Sequence, residues 1–599
     1  MMKKAGKLLA VALGACMCVG AAGALAGCGG DVGDGEIEFW YSASISDNKI
    51  MRELAETYNN GQGVTDGVKV KTNNLKQIDK SSLFNNAPSV LMISDEDFKA
   101  FAIENLFLDL DGYYNDMPGE YSEAKIPATL TERFRFDTQD NAQGKRMAGK
   151  GAALQGVPFG NTPMIYYYSK PAFAAQNICV ISCEEEKLAE TYPNLQPHGY
   201  AEYTAENGAQ APCAGAVASQ NLAGKQVYKV FNNRIPMNWE EFRYLSKCFT
   251  KNDAYNPNST TEYGSGTHWW FSYGWSVGGD CIGYNGEKYE FTVADEAKNY
   301  LVTAADGITV GETHYAAGEI VRYEDKKLIS DKTGLYELPS QRQALEEFVK
   351  LSTPASSQKG EQGGYGIGLF AEDNVAASLS KGKVAMLASD GSQITSLNVN
   401  YKQNYDFAPT TQYRKYAGGS VYYEGAETFA NEYLKVIGTT YAGDSSPYTG
   451  ELKKENGIAI VGRRAAFSSA DALTIPKNSD PEKYEAAWKF IRWAASEEGQ
   501  KIYAKTGKVP NQTSLAMSED YLSAVDATKN YWAFADGSAH GEIGDWAYFE
   551  NGQWVTDWSG VFNNQLRAGY MTIDGFLSSK KDAADRAVGA VKIVLNGRG

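Results

Sequence analysis

The twenty residues from Leu154 to Phe173, LQGVPFGNTPMIYYYSKPAF, constrain the fold more than any other part of the chain. The run Ile165, Tyr166, Tyr167, Tyr168 is β-branched and aromatic and suits a buried strand, which Pro171 then bars from continuing. Immediately before it, Gly156 to Pro163 holds two glycines and two prolines, which confine the backbone to turn and extended conformations. Asn161 and Thr162 there offer polar groups that no helix would hide. The segment reads either as a crossing between two lobes or as an ordinary loop leading into a core strand.

A chain of 599 residues is too long for one core, so two lobes are expected. The net charge is −16, with no sizeable Lys/Arg cluster after residue 7, which argues against nucleic acid or an anionic membrane surface as partner. Many of the 38 Tyr and 11 Trp sit beside Gly, Asn and Asp instead of in apolar runs. That placement suits half-polar ligand surfaces, and tyrosine-rich cores account for part of it equally well.

The first residues have the pattern of a secretory signal: Lys3, Lys4 and Lys7, then an apolar stretch from Leu8 to Val19, then small residues. Leu25-Ala26-Gly27-Cys28 resembles a bacterial lipobox, which implies cleavage after residue 27, a lipid on Cys28 and a location on the outer face of the cytoplasmic membrane. Cleavage there would take the net charge from −16 to −19. Residues 28–35 would be the linker. No later stretch reaches the roughly 18 apolar residues that a spanning helix needs. Of the remaining cysteines, Cys179, Cys183, Cys213, Cys248 and Cys281 make an odd set whose pairing spacing does not decide. The four histidines are scattered, so neither a zinc site nor any cofactor is expected.

Along the chain, a strand at 37–41 and a helix carrying Ile50, Leu54 and Tyr58 make an α/β opening. Further strands are expected at 68–72 and 89–93. The acidic Ser94-Asp95-Glu96-Asp97 then starts a helix over 98–107, where carboxylates favour the positive helix end. Capping explains them; so would a ligand cleft at a strand's carboxyl end. Residues 178–233 and 425–465 read as insertions. Between them, Asn238 caps a helix from Trp239, and the densest aromatic run spans Thr267 to Asp280. Helices over 340–351 and 373–380 and strands over 382–387 and 405–409 follow. The clearest helix has Asp480 as cap, Pro481 at its first position and Ala486, Ala487, Phe490, Ile491 and Ala494 on one face.

In this order, the IEFWYS opening, VLMISDEDFKAFAIENLFLDL, LQGVPFGNTPMIYYYSKPAF, PMNWEEFRYLSK, WSVGGD, LSKGKVAMLASDG, YDFAPT, SDPEKYEAAWKFIRWAASEEGQKIYAKTGKVPNQTS and FNNQLRAGYMTIDGFL resemble the extracellular solute-binding proteins of the maltose-binding type, which serve ATP-binding-cassette (ABC) importers of carbohydrate. The resemblance covers residues 36–599 apart from the two insertions. It implies an α/β, two-lobed periplasmic-binding-protein fold of type II with a ligand cleft between the lobes. Residues 36–160 and 405–515 would form the first lobe, and 161–404 and 516–599 the second. It also implies a monomer that binds a sugar or oligosaccharide and meets permease subunits, with no catalysis.

The residues at matching motif positions are Trp40, Ser44, Glu96, Asp97, Asn161, Thr162, Trp269, Trp270, Asp390, Gly418, Gly419 and Trp558, and chemistry adds Trp275 and Asp280. Tryptophans would stack on sugar faces, Glu96 and Asp97 would accept hydroxyls, and the glycine pair would donate backbone N–H groups. Core packing or capping is the competing role for each. Two other functions fit the composition. One is a secreted glycosidase using a carboxylate pair such as Glu96 and Asp390, and the other is a glycan adhesin without a transporter. Gly-x-Ser-x-Gly, His-Glu-x-x-His and phosphate-binding loop patterns are absent, and Ser46-x-x-Lys49 lacks its companion motifs.

Overall fold

The computed structural model describes residues 35–115, 126–142, 144–222, 225–266, 271–279, 282–285, 287–354, 363–369, 375–416, 458–542, 558–589 and 593–596. Two sheets organise it. In the first, strands β1 (Glu36–Tyr41), β2 (Lys69–Asn74) and β3 (Val90–Ser94) are parallel, with β1 in the middle. In the second, β6 (Tyr263–Gly266) and β7 (Val384–Ser389) are parallel neighbours.

The two sheets are joined within the Leu154–Phe173 stretch. Gly156–Pro163 is not a loop: Val157–Pro163 forms β4 at the far side of the first sheet, and after Met164 alone the chain enters β5 (Ile165–Ser169) of the second. Pro158 has no N–H for a ladder, and the sheet absorbs it by a register slip between Asp471 and Ala472 opposite it. Ile165 and Tyr167 pack into one apolar cluster, Tyr166 and Tyr168 into another. Both faces of β5 are therefore covered, which is why its sequence is a continuous run without polar alternation.

A late strand completes each sheet. β9 (Ala466–Thr474) lies antiparallel between β3 and β4, and β8 (Tyr405–Ala408) lies antiparallel to β5. This corrects the expected boundary at residue 405, because 405–408 pair with the second sheet. The C-terminal part is also divided. Gly541–Glu542 joins β9, and Ile593–Asn596 pairs with Arg146–Gly149 beside the first lobe. The 178–233 insertion is itself folded, with strands Ile178–Ile181, Tyr200–Glu206, Ala218–Leu222 and Lys225–Asn232 in a sheet of their own. Most of 425–465 lies outside the described residues.

The helices start where the sequence places their caps. Helix α1 (Ile45–Asn60) buries Met51, Leu54, Ala55 and Tyr58. Helix α2 runs over Asp95–Ala102, shorter than the expected 98–107, and Asn105 just beyond it takes a positive φ of 61° that no helix continues through. In α3 (Trp239–Phe249), Asn238 and Glu241 form a reciprocal capping box. The predicted face of α4 (Tyr484–Ala494) packs Phe490 edge-on against Phe39 and Tyr58, with ring centroids 5.3 and 5.2 Å apart. Burial of a side chain such as Phe490 contributes about 1.5–3 kcal/mol.

Candidate functional site

Strand direction locates the site. β1 and β3 are parallel, and β4 points the same way because β9 is antiparallel to both β3 and β4. In the second sheet, the carboxyl end of β7 lies beside the amino end of β5, where Ser389 pairs with Ile165. The carboxyl ends of both sets of parallel strands therefore face the crossing at Met164. In open α/β sheets ligands bind at such ends.

On the first-lobe side, Ser44 follows β1 as the exposed cap of α1, accepting the Asp47 N–H at 3.1 Å. Ser94 caps α2 by accepting the Asp97 N–H at 3.3 Å, and Glu96 and Asp97 are exposed beside it. The pKa of Glu96 is raised by the protein packed around it and by the Asp97 charge. Asp95 has a different role. It is buried, accepts from Arg133 Nη1 and from the Ala470 N–H, both at 2.8 Å, and burial raises its pKa against the pull of Arg133. The same Arg133 nitrogen donates to the Ser468 carbonyl at 2.7 Å, so the pair fastens β9 beside the junction.

The neighbouring face of β9 carries a polar strip. Ser469 Oγ lies 2.8 Å from Thr162 Oγ1, and the Asp471 carboxylate accepts from the Tyr503 hydroxyl at 2.7 Å and from Lys508. Phe467, Ser469 and Asp471 are partly exposed, whereas Ser468, Ala470 and Ala472 between them are buried, the period-2 pattern of a strand with one lit face.

On the second-lobe side, Asp390 follows β7. Its carboxylate accepts from the Ser392 N–H and hydroxyl, at 2.9 and 2.5 Å, and its carbonyl accepts from the Tyr167 hydroxyl at 2.5 Å. Gly391 then closes on the first lobe: a Cβ there would stand 3.0 Å from the Gly507 carbonyl oxygen. At a second crossing, where the chain returns from β8 of the second sheet to β9 of the first, the Arg463 N–H donates to the Ser276 carbonyl at 2.9 Å. Beside it Trp239 and Tyr273 stack, with centroids 5.0 Å apart and planes 8° apart, and Tyr413 meets Trp239 edge-on at 5.3 Å.

A basic and aromatic cluster occupies the same crossing. The Arg234 and Arg464 guanidiniums lie 5.1 and 5.5 Å from the Trp532 ring centroid, on helix α5 (Trp532–Ala539). Arg464 pairs with buried Asp536 at 2.5 Å; burial raises the Asp536 carboxyl to about 6 against that pairing.

Four expected ligand residues have other work. Trp40 lies in the first-lobe core with its indole N–H on Glu38 at 3.0 Å. Trp275 is in the second-lobe core, and Trp558 packs there against Phe291, Phe562 and Phe576. Asn161 is fully buried and donates to Ser538 Oγ at 2.6 Å. Each shows too little surface to cover a ligand, because apolar rings gain more by leaving water completely. Ser44, Glu96, Asp97, Thr162 and Asp390 stand at the junction. Trp269, Trp270, Asp280, Gly418, Gly419, Cys28 and Cys281 lie outside the described residues, although β6, which precedes the two tryptophans, ends at the junction.

Sequence reasoning did not single out Ser469, Asp471, Tyr413 or Trp532 for the site. Ser469 and Asp471 carry only the alternation of β9 as a signal and Tyr413 only its neighbours Gln412 and Arg414, while Trp532, between Tyr531 and Ala533, carries none.

Comparisons with known proteins agree with this architecture. Among solved structures, the sugar-binding protein MalE of Xanthomonas citri superposes with a TM-score of 0.53 at 11% identity, over 92% of this chain and 97% of that one. UgpB of Mycobacterium tuberculosis, solved with glycerophosphocholine, gives 0.51 at 14%, over 92% and 99%. The cyclic α-maltosyl-1,6-maltose binding protein of Arthrobacter globiformis gives 0.50 at 14%, over 93% and 98%. No curated protein matches the chain. A profile of the bacterial extracellular solute-binding proteins matches residues 53–529, most of the chain, and the protein belongs to that family.

Proposed function

We propose that the protein captures a sugar or oligosaccharide between its lobes and hands it, chemically unchanged, to an ABC importer. The observation that carries this reading is the convergence of parallel-strand carboxyl ends from both sheets on one crossing. A ligand bound there touches both lobes only when they close, so its binding energy favours the closed state.

The chemistry of the junction selects the ligand class. Glu96 and Asp97 supply exposed carboxylate acceptors, and Thr162, Ser469 and Asp390 supply further polar groups. Carboxylates hydrogen-bond neutral hydroxyls and repel phosphate. The cations nearby are already paired, Arg234 with Glu184, Arg464 with Asp536 and Lys508 with Asp471, so a sugar fits better than a phosphodiester. Aromatic cover would come from Trp269 and Trp270, with backbone donors from Gly418 and Gly419. Lobe 1 would comprise 36–163 with 466–515, and lobe 2 would comprise 165–416 with 516–540 and 558–589. A diacylglycerol on Cys28 would hold the body outside the cytoplasmic membrane, within reach of the permease.

The test is a titration of the purified protein with mono- and oligosaccharides, following tryptophan fluorescence, melting temperature and reducing ends together. A saturable fluorescence change with a raised midpoint and constant reducing ends is expected, because a ligand that binds only the folded state stabilises it by mass action. New reducing ends would replace the importer reading with a glycosidase.

A further inference from the structure

The insertion carries three buried thiols in one apolar cluster: Cys179, Cys183 and Cys213, among Ile181, Leu188, Leu195, Val230 and Ile235. They are not equivalent. Cys179 Sγ and Cys213 Sγ are 2.8 Å apart, whereas the sulfur of Cys183 turns toward the Glu184 carbonyl at 3.5 Å. Both members of the close pair sit on fixed backbone. Cys179 lies in the Ile178–Ile181 strand, paired in parallel with Lys229–Asn232, and the Cys213 carbonyl closes a turn with the Ala216 N–H at 3.2 Å.

We infer that Cys179 and Cys213 form a disulfide in the secreted protein, tying the first strand of the insertion to the connection between its second and third strands, with Cys183 left as a thiol. An extracellular protein meets an oxidising milieu in which such bonds persist. The reaction is exchange with an external disulfide, either of a thiol oxidoreductase or of a small molecule. The Cys179 thiolate attacks one sulfur and releases the first external thiolate. Cys213 then attacks the mixed disulfide and releases the second. The two cysteine protons pass to the two leaving thiolates, and two electrons pass to the external disulfide. In the closed cluster the S–H of Cys213 is directed at the Cys179 sulfur and lowers the pKa of Cys179; during folding either thiol can attack first, with the same product. Both sulfurs are buried once the cluster has closed, which places the exchange during folding outside the cell.

The bond is tested on full-length protein secreted by a bacterial host, harvested without reductant in N-ethylmaleimide and mapped by tryptic mass spectrometry. The expected product is a cross-link between the peptide ending at Lys187 and the peptide Leu188–Lys225, 2 Da lighter than the two free peptides together. Cys179 and Cys183 share the first peptide, so C183S is mapped in parallel and is expected to give the same cross-link in the same yield. Quantitative N-ethylmaleimide on Cys213 of the unreduced wild type, or loss of the cross-link in C183S, would overturn the assignment.

Discussion

The two lobes bring different chemistry to their shared junction. The first offers carboxylates, hydroxyls and a lysine, on α2, on β9 and around Tyr503, and fastens them from behind with the buried Asp95–Arg133 pair. The second offers the partly exposed rings of Trp239 and Tyr413, backed by buried Tyr273, over a core rich in tyrosine and phenylalanine. A hydrated sugar needs both, since its hydroxyls want acceptors and its C–H faces want an apolar plane. The first lobe supplies most of the acceptors and the second the planes, with Asp390 as its own carboxylate, so tight binding demands that the two come together.

If the first lobe depends on its buried ion pair, Arg133→Ala should be the most damaging single change. It leaves Asp95 buried without its cation, and urea unfolding should show a loss of about 3–5 kcal/mol. A loss below 1 kcal/mol would mean that β9 is held by its ladder alone. The counterpart in the second lobe is Glu241, which accepts from the Asn238 and Gly199 N–H groups, each at 3.1 Å, and lies 2.8 Å from His198 Nδ1. Glu241→Ala should lower stability by about 1–3 kcal/mol, since it removes a cap and strands buried donors.

Both lobes should respond to pH, since burial pushes Asp95 of the first up to about 7 as well. The insertion offers the cleaner reading because Glu202 has no direct ion pair among the described residues. Burial pushes the Glu202 carboxyl, in the insertion against the second lobe, up to about 7, opposed by Lys229 and the Tyr200 hydroxyl. Its ordinary value is 4.5, so the folded state holds a proton that the unfolded state has released between pH 4.5 and about 7. The stability from this group is full below that window and is lost as pH rises through it. The opening free energy read from amide exchange in the insertion should therefore fall by about 1–2 kcal/mol between pH 4.5 and 7, and Glu202→Gln should flatten the trend. The smallest effects on the fold are expected in the proposed ligand contacts. Glu96→Ala and Trp269→Ala should each weaken sugar binding about tenfold, or 1.4 kcal/mol, at an unchanged melting temperature of the free protein. A matching fall in that temperature would show that they are structural.

Local chemistry made much of this visible in advance. Asn238 and Asp480 announce helices because a side-chain oxygen followed by apolar periodicity is a complete local signal, whereas the caps Ser44 and Ser94 read as a loop residue and as part of an acidic run. The carboxylates Glu96 and Asp97 could be placed because the end of a strand and the start of a helix are adjacent in sequence. Tryptophans were harder. Trp558, between Asp557 and Ser559, has more polar neighbours than Trp269, yet it is core, because burial is decided by what packs against a ring and not by its neighbours in the chain. The lobe boundary near 405 was misplaced for the same reason: YDFA would serve either sheet, and only pairing with β5 selects the second.

By itself the sequence determined the α/β class, the buried Ile165–Tyr168 strand and most helix starts, all of them matters of neighbouring residues, and it left the passage between sheets as one of two readings. Tertiary structure alone decided that Ala466–Thr474 threads between β3 and β4, that the ends of 541–542 and 593–596 return to the first lobe, and that Arg133 reaches Asp95. Those contacts join residues tens to hundreds of positions apart. Their partners are chosen by which register buries the most surface and satisfies the most backbone groups at once, a condition on the whole assembled chain that no local window contains.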